Sequence, residues 1–394
     1  MEISFSSVFI ALAWLLALAI ICEVMNHVVC PKRNVPPGPR PWPIIGNLNL
    51  VGSLPHESLH NLSQKYGDLM LLKFGSKPVL IASSPEMAKE ILKTHDAIFS
   101  SRPALTAGKK NFLRHHLTEF ILSIISRMVM SGTYHRDESI ENLQDHHKAK
   151  GKEDSVPKDM VDVLLQLVDD PNLEVKITTD NLMGLILDLL TGGTDTSATT
   201  VEWAFQELVR NPNMIEKANE ELDRTIGKGR WVEEEDLSQL PFIEAIIKET
   251  FRLHPLTPLI PPHYSIEECN VVGYDIPKGT MVFVNIWSLG RNPNYWDRPE
   301  EFIPERFLEN DINIKGKNFT MLPFCSGRRR CPGYSFGINL VGTTLANLLH
   351  GFNWRLTGDI KPEEISMKEI YGLTTHPEKP ISKIMEPRLP LHLY

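Results

Sequence analysis

Pro323-Phe324-Cys325-Ser326-Gly327-Arg328-Arg329-Arg330-Cys331-Pro332-Gly333 places Cys331 in a loop that is rich in arginine and bounded by glycine. An apolar pattern of helical period follows at once, formed by Phe336, Leu340, Leu345, Leu348 and Phe352. The positive end of a helix dipole and neighbouring arginines both favour thiolate over thiol. A thiolate on a loop with open space on one face is what an axial haem ligand requires.

Two other interpretations of this loop stay open. Cys331 could be a buried cysteine in a Gly/Pro turn, with the arginines on the surface. A zinc site is less consistent with the sequence, because Cys325 and Cys331 have no matching cysteine or histidine pair elsewhere at zinc-ligand spacing.

The spacing Phe324-x-x-Gly327-x-Arg329-x-Cys331-x-Gly333 resembles the haem-thiolate loop of the cytochromes P-450. The resemblance implies haem b as cofactor, with Cys331 as the axial iron ligand and the other four residues of the pattern as haem-binding positions. It also implies a mainly α fold with small β-sheets, which agrees with the helical patterns that fill most of the chain.

Composition excludes some other classes. The chain has 394 residues and a net charge of −8, which does not suggest a nucleic-acid partner. Its five cysteines are too few and too scattered for a disulfide framework, so reduced thiols and a cytosol-facing body fit better.

The amino terminus predicts a membrane anchor within residues 1–30. Ile3 to Cys22 carries no charge and is long enough for a helix to cross the hydrocarbon core. A cleaved signal peptide would normally have a basic residue before the apolar run, where Glu2 stands; a buried core helix is the other alternative. The pair Lys32-Arg33 after the run places the body in the cytosol. We therefore expect a single-pass anchor in the endoplasmic reticulum membrane.

Residues 31–47 are dense in proline, which predicts a stiff extended segment. A bland linker could look similar, but the segment also resembles the proline hinge of membrane-bound cytochromes P-450. The catalytic domain is then expected over residues 48–394.

Local patterns predict several elements of that domain. Leu69 to Phe74 and Val79 to Ala82 are typical of two strands, and Ser84-Pro85 is typical of a helix start. Val271 to Tyr274 and Thr280 to Val284 are expected to be strands on either side of a turn.

A helical pattern from Leu240 to Leu253 places Glu249 and Arg252 on one face, three residues apart. Such a pair is usually a surface salt bridge of less than about 1 kcal/mol. Here it resembles the family's Glu-x-x-Arg helix, and Pro304-Glu305-Arg306-Phe307 resembles the segment whose arginine completes a triad. The resemblance implies that Glu249, Arg252 and Arg306 form a buried structural set.

A long helix is predicted over about Thr179 to Arg210, and its centre reads Gly192-Gly193-Thr194-Asp195-Thr196-Ser197. Each glycine costs roughly 1 kcal/mol in a helix, so it requires a reason. One reason is a notch where another element crosses; the other is a groove for dioxygen and water. The segment resembles the family's proton-delivery motif, which implies Asp195 and Thr196 as the acid and the hydroxyl.

The chain departs from the family between about residues 104 and 178, where it is much shorter. No tryptophan occurs between Trp42 and Trp203, so the family's Trp-x-x-x-Arg helix, which holds a haem propionate, is absent. Leu117 to Met130 is expected to be a remnant core helix, and Arg136 to Asp159, half charged, a solvated loop. Arg329 and His263 are then left to bind the propionates.

These patterns and the family resemblance together imply a membrane-anchored haem-thiolate monooxygenase that receives electrons from an NADPH–cytochrome P-450 reductase. Arg328 and Arg330 are candidates for docking that donor, or are solvated charges. The expected substrate is a small apolar plant metabolite. The alternatives are a non-catalytic or folding-defective haem-binding form, which the internal loss would produce, and a haem-thiolate isomerase or dehydratase, against which Asp195-Thr196 argues.

Overall fold

The computed structural model of the protein is mainly helical with small sheets. It describes Trp14, Ile121, Leu122, Ile124, Ile125 and residues 33–102, 160–168, 176–310, 312–356, 361–372, 374–379 and 383–394. The α-helices of these residues are α1 Pro55–Tyr66, α2 Pro85–Lys89, α3 Asp96–Phe99, α4 Met160–Val168, α5 Thr179–Arg210, α6 Pro212–Thr225, α7 Pro241–Leu253, α8 Ile286–Gly290, α9 Arg306–Glu309 and α10 Tyr334–Gly351.

Four short sheets accompany these helices. Their strands are β1 Leu69–Phe74, β2 Lys77–Ala82, β3 His263–Tyr264, β4 Cys269–Val271, β5 Tyr274–Ile276, β6 Met281–Val284, β7 Phe352–Leu356, β8 Glu369–Ile370, β9 His376–Pro377 and β10 Lys383–Pro387. The largest sheet has the order β1-β2-β6-β3, with β2 and β6 parallel and the other neighbours antiparallel. The predicted strands of the β1–β2 hairpin are confirmed.

The predicted strand Val271–Tyr274 is wrong. The chain turns there, at Val272 and Gly273, which have φ of 50° and 84°, and the turn joins β4 to β5. Positive φ at two successive central residues matches the right-handed twist of a tight hairpin, so the turn takes precedence over the β propensity of the two valines. β6 pairs with β2 and β3 instead.

α5 is the central element of the fold, and its bounds match the prediction. It begins at a reciprocal cap in which Thr178 Oγ1 accepts from the Asn181 N–H at 3.2 Å and Asn181 Oδ1 accepts from the Thr178 N–H at 3.1 Å. Its 32 residues span about 48 Å. It ends where Pro212 starts α6, because a proline fits the first turn of a new helix.

The main core lies between α5, α6, α7 and α10. α7 is almost wholly buried, from Phe242 to Leu253, and shares this core with Val201 and Phe205 of α5 and Leu345 of α10. A second cluster joins Ile121 and Ile125 to Ala198 of α5 and Leu340 of α10. α5 and α10 are therefore held against each other along both clusters.

The proline-rich segment packs on the body over its described part. The Leu71 N–H donates to the Pro37 carbonyl at 2.9 Å, and a Cβ at Gly38 would lie 2.0 Å from the Leu71 carbonyl oxygen. The segment thus lies against β1, and only glycine fits that approach.

The predicted anchor, residues 1–30, lies outside the described residues apart from Trp14, as does the charged stretch Arg136–Asp159. Within the part of the chain that the structure describes, no helix combines the length and apolar character needed to span a membrane.

Candidate active site

The loop before α10 positions Cys331. A short 3₁₀ turn at Gly327–Arg329 leads into it, and the Cys331 N–H donates to the Phe324 carbonyl at 3.0 Å. The side chain is half-buried and lies three residues before the first residue of α10. The amino-terminal end of α10, where the helix dipole favours negative charge, therefore follows the cysteine closely in the chain.

The two glycines of the pattern have different roles. Gly327 has φ of 72°, and a Cβ there would lie 2.3 Å from the Leu92 carbonyl oxygen and 2.6 Å from Asp96 Oδ1. Backbone conformation and packing both require glycine at this position. Around Gly333, by contrast, no described atom lies within 4 Å of an added Cβ. That side of the loop is open space.

Phe324 connects the loop to the buried scaffold. Its ring meets that of Phe251 on α7 edge to face, with centroids 5.2 Å apart. Edge-to-face pairs at this distance are favourable beyond the area they bury. Phe324 therefore fixes the start of the loop against α7.

The arginines tie the loop to the region of α3. Arg329 Nε donates to the Ser100 carbonyl at 2.6 Å, and the Arg328 N–H donates to both oxygens of Asp96 at 3.1 Å. Arg330 stacks over the Tyr334 ring at 4.2 Å. All three residues thus have structural contacts, while the side chain of Arg328 remains 70% exposed.

Cys325, the other thiol of the loop, is a poor ligand candidate. It is buried, and burial raises the pKa of its thiol to about 11. A thiol with so high a pKa stays protonated at neutral pH, whereas the thiolate is the metal ligand. Of the two cysteines, the geometry favours Cys331.

His263 lies near the positive charges of Arg102 and Arg329. His263 Nδ1 donates to the Phe99 carbonyl at 2.7 Å, since a carbonyl can only accept. Burial, and then the Arg102 charge, lower the pKa of His263 to about 4. His263 Nε2 is buried without a hydrogen-bond partner among the described residues. Arg102 donates to the carbonyls of Pro261 and Pro262.

The centre of α5 carries the predicted acid and hydroxyl. Thr196 Oγ1 donates to the Gly192 carbonyl at 2.6 Å, and Asp195 Oδ2 accepts from Thr374 Oγ1 at 2.6 Å. The two glycines differ here as well. A Cβ at Gly193 would lie 2.8 Å from Ile125 Cδ1, whereas one at Gly192 would meet no described atom within 4 Å. Gly193 therefore fits the packing notch, and Gly192 leaves room beside the helix.

Glu249, Arg252 and Arg306 meet in the structure. Glu249 accepts from Arg252 Nε at 2.7 Å and Nη2 at 2.8 Å, from Arg306 Nε at 3.1 Å, and from the Ile303 N–H at 2.7 Å. The side chains of Glu249 and Arg252 are fully buried. Arg252 also donates to the carbonyls of Gly290, Pro299 and Glu301, so every polar atom of this set is used.

The sequence did not point to Arg102 or Thr374. Each reaches its partner across about 160 to 180 positions in the chain, so no local period relates them. The only local signs were the run Ser101-Arg102-Pro103 and the pair of threonines at 374 and 375.

Known proteins resemble this chain in sequence and in fold. The model of the cytochrome P450 family matches residues 36–121 and 108–384. Among curated relatives, cytochrome P450 71A1 of Persea americana is 35% identical over 87% of this chain and 92% of its own length. Flavonoid 3'-monooxygenase of Petunia hybrida is 34% identical over 91% of this chain and 93% of its own.

A solved structure of a zebrafish cytochrome P450 with abiraterone superposes with a TM-score of 0.74 over 86% of this chain and 100% of its own. At 22% identity, that likeness concerns the fold alone. The alignment with the avocado protein runs over 460 positions although this chain has only 394 residues, so part of the relative has no counterpart here. The match to the family model and relatives above 30% identity over most of the chain lead to one conclusion: this protein belongs to the cytochrome P450 family, monooxygenases that hold haem through a cysteine thiolate.

Proposed function

We propose that this chain is a microsomal monooxygenase in which Cys331 is the axial ligand of haem b. The observation that carries the proposal is the placement of Cys331. It is half-buried, held by its own N–H on a loop before α10, and next to the open space at Gly333. Haem bound there supplies the iron on which dioxygen is activated.

The residues of the loop fit that cofactor. Arg329 and Arg102 provide positive charge beside His263, whose Nε2 is buried and unpartnered among the described residues. A carboxylate there would be stabilised by the charges of the two arginines. Since Nδ1 of neutral His263 carries the proton, Nε2 can bind a propionate only when one further proton lies between them. Phe324 and Gly333 would then border the macrocycle.

We assign proton delivery to Asp195 and Thr196. The Thr196 hydroxyl donates to Gly192, and its lone pairs remain able to accept a hydrogen bond from water. The open space at Gly192 provides room for that water beside the helix. An isomerase or dehydratase would have no use for such a relay, so this pair favours oxygen insertion.

We further propose residues 1–30 as a single-pass anchor in the endoplasmic reticulum membrane, 31–47 as the hinge and 48–394 as the catalytic domain, facing the cytosol. Electrons would come from an NADPH–cytochrome P-450 reductase. A small apolar plant metabolite is the proposed substrate, which is consistent with a relative named as a flavonoid monooxygenase.

A non-catalytic haem-binding form is the second candidate, and one observation favours it. The family model matches in two pieces whose junction falls at residues 108–121, within the region predicted to be shortened. No tryptophan lies between Trp42 and Trp203. Without the Trp-x-x-x-Arg helix, and with the chain shortened between about residues 104 and 178, water would reach the site and favour release of reduced oxygen over substrate oxidation.

Turnover separates the two candidates. The full-length protein is supplied with haem, a reductase and NADPH, and product formation is measured against a panel of apolar plant phenolics and terpenes. Thr196→Val is expected to lower the rate of product formation about 10²-fold or more, which is the usual contribution of a positioned proton donor. Thr200→Val removes an equivalent hydroxyl, which donates to the Thr196 carbonyl at 2.9 Å, and should keep it. Haem binding without NADPH-driven oxidation of any panel member would favour the second candidate.

A further inference from the structure

One face of α5 holds the segment of residues 374–379. Asp195 and Gln206 lie on one side of the helix, because a step of eleven residues is close to three whole turns, and Trp203 lies within roughly a quarter turn of both. Asp195 Oδ2 accepts from Thr374 Oγ1 at 2.6 Å, and Trp203 Nε1 donates to the Thr375 carbonyl at 3.0 Å. Gln206 Nε2 donates to the Lys379 carbonyl at 3.2 Å.

The same segment is fixed from its other side. The Thr375 N–H donates to the Leu256 carbonyl, just after α7, at 2.7 Å. Thr374 and Thr375 are 5% and 2% exposed. Trp203 is itself held by a stacked His254 ring 4.1 Å away, and His254 bonds Glu207 at 2.7 Å. The Thr374 hydroxyl is therefore presented to Asp195 from a rigid, buried support.

A hydroxyl that donates to a carboxylate at 2.6 Å makes a short, charge-assisted hydrogen bond, which is stronger than a neutral one. It selects one orientation of a side chain that is otherwise half-exposed on the helix. Proton transfer needs the donor within hydrogen-bond reach of the accepting oxygen, so a fixed carboxylate is worth more to the reaction than a mobile one.

We propose that Thr374 is a positioning residue for proton delivery: its hydroxyl holds the Asp195 carboxylate, and Trp203 holds the segment that carries Thr374. This inference rests on the role proposed above for Asp195. It adds to the proton relay a residue that is 179 positions from Asp195 in the chain. The hairpin of β8 and β9 then becomes part of the proton-delivery site on α5.

The neighbouring residue provides a matched control. Thr375 has the same side chain in the same segment, and its Oγ1 is buried without a hydrogen-bond partner among the described residues. Thr374→Val and Thr375→Val therefore make the same chemical change, and only the first removes the contact with Asp195. Thr374→Ser keeps the hydroxyl and tests for rescue.

The experiment uses the full-length holoprotein with added reductase and follows NADPH-driven oxygen consumption. Two quantities are measured: the solvent deuterium isotope effect, and the share of NADPH that reduces dioxygen only by two electrons, to hydrogen peroxide. We expect Thr374→Val to raise both the isotope effect and the peroxide share about twofold or more. Thr375→Val should match the wild type in both quantities, and Thr374→Ser should return both to the wild-type values. Equal behaviour of the two valine variants would overturn the inference while leaving the proposed function in place.

A second experiment, on thermal stability, does not depend on turnover. Melting temperatures of Asp195→Ala, Thr374→Val and the double variant are compared in the haem-free and haem-bound protein, and non-additive shifts are expected because the two side chains are in contact. Additive shifts would overturn the inference. A wild type that binds haem but consumes no oxygen with NADPH and reductase would overturn the proposed function and this inference with it.

Discussion

Replacing Glu249 with glutamine should cost the fold much more than the same change at Glu244 on the same helix, α7. Glu249 is the acceptor for three arginine N–H groups and one backbone N–H, and Arg252 beside it is fully buried. Glutamine keeps the shape but removes the charge, which leaves a buried guanidinium uncompensated. That situation costs about 3–5 kcal/mol, a large part of the about 5–15 kcal/mol that stabilises a typical protein.

The same helix offers the control. Glu244 pairs with Lys248 at 2.9 Å; the Lys248 side chain is 10% exposed, but that of Glu244 is 56% exposed, so water solvates this carboxylate. Glu244→Gln should therefore change the free energy of unfolding by less than about 1 kcal/mol. Arg306→Gln is expected to have an intermediate effect. It removes one charged hydrogen bond at 3.1 Å and leaves the Glu249–Arg252 pair, so the free energy of unfolding should fall by about 1.5–3 kcal/mol.

Urea unfolding of the detergent-solubilised full-length chain, followed by tryptophan fluorescence, measures all three variants. The expected order of stability loss is Glu249→Gln, then Arg306→Gln, then Glu244→Gln, and failure of the first to fold agrees with that order. The reasoning is refuted if Glu249→Gln unfolds at the same urea concentration as Glu244→Gln. It is also refuted if Arg306→Gln costs as little as the surface control.

Two further predictions concern the cofactor loop and its neighbour. Gly327→Ala should lower the free energy of unfolding, measured in urea, by at least about 2 kcal/mol, because the new Cβ is strained at positive φ and clashes with the Leu92 carbonyl. Gly333→Ala should leave the stability of the haem-free protein unchanged and reduce haem uptake. The reverse pattern would contradict the roles assigned to the two glycines. Because the pKa of His263 falls from 6.5 to about 4 on folding, the unfolded chain binds its proton first as pH falls. Roughly 3 kcal/mol of stability should therefore be present above pH 6.5 and lost towards pH 4. His263→Asn should flatten that dependence of the urea midpoint, and an unchanged slope would contradict it.

The scaffold explains how the buried charges reach the cofactor loop. Arg252 and Phe251 are adjacent on α7, and Phe251 meets Phe324 at the start of the loop edge to face. A change at Glu249 should therefore lower haem retention as well as stability. Haem content of the purified Arg306→Gln variant, which is expected to fold, tests this connection.

Local patterns allowed a large part of this structure to be predicted. The apolar period predicted α5 with its observed bounds, and the i,i+3 spacing predicted that Glu249 and Arg252 lie on one face. The strand expected at Val271–Tyr274 was wrong because β-branched residues can also occupy a tight turn. The contact of Asp195 with Thr374 and the approach of Arg102 to the His263 strand arise from chain crossings, which leave no period in the sequence.

The spectrum of the reduced, carbon-monoxide-bound protein tests the central claim, that Cys331 binds haem iron, most directly. Wild type and Cys325→Ala should both give the strongly red-shifted Soret band of thiolate-ligated haem, because Cys325 is buried with a raised pKa. Cys331→His should bind haem without that band. The account is contradicted if the wild type takes up no haem, or if the red-shifted band survives in Cys331→His and disappears in Cys325→Ala.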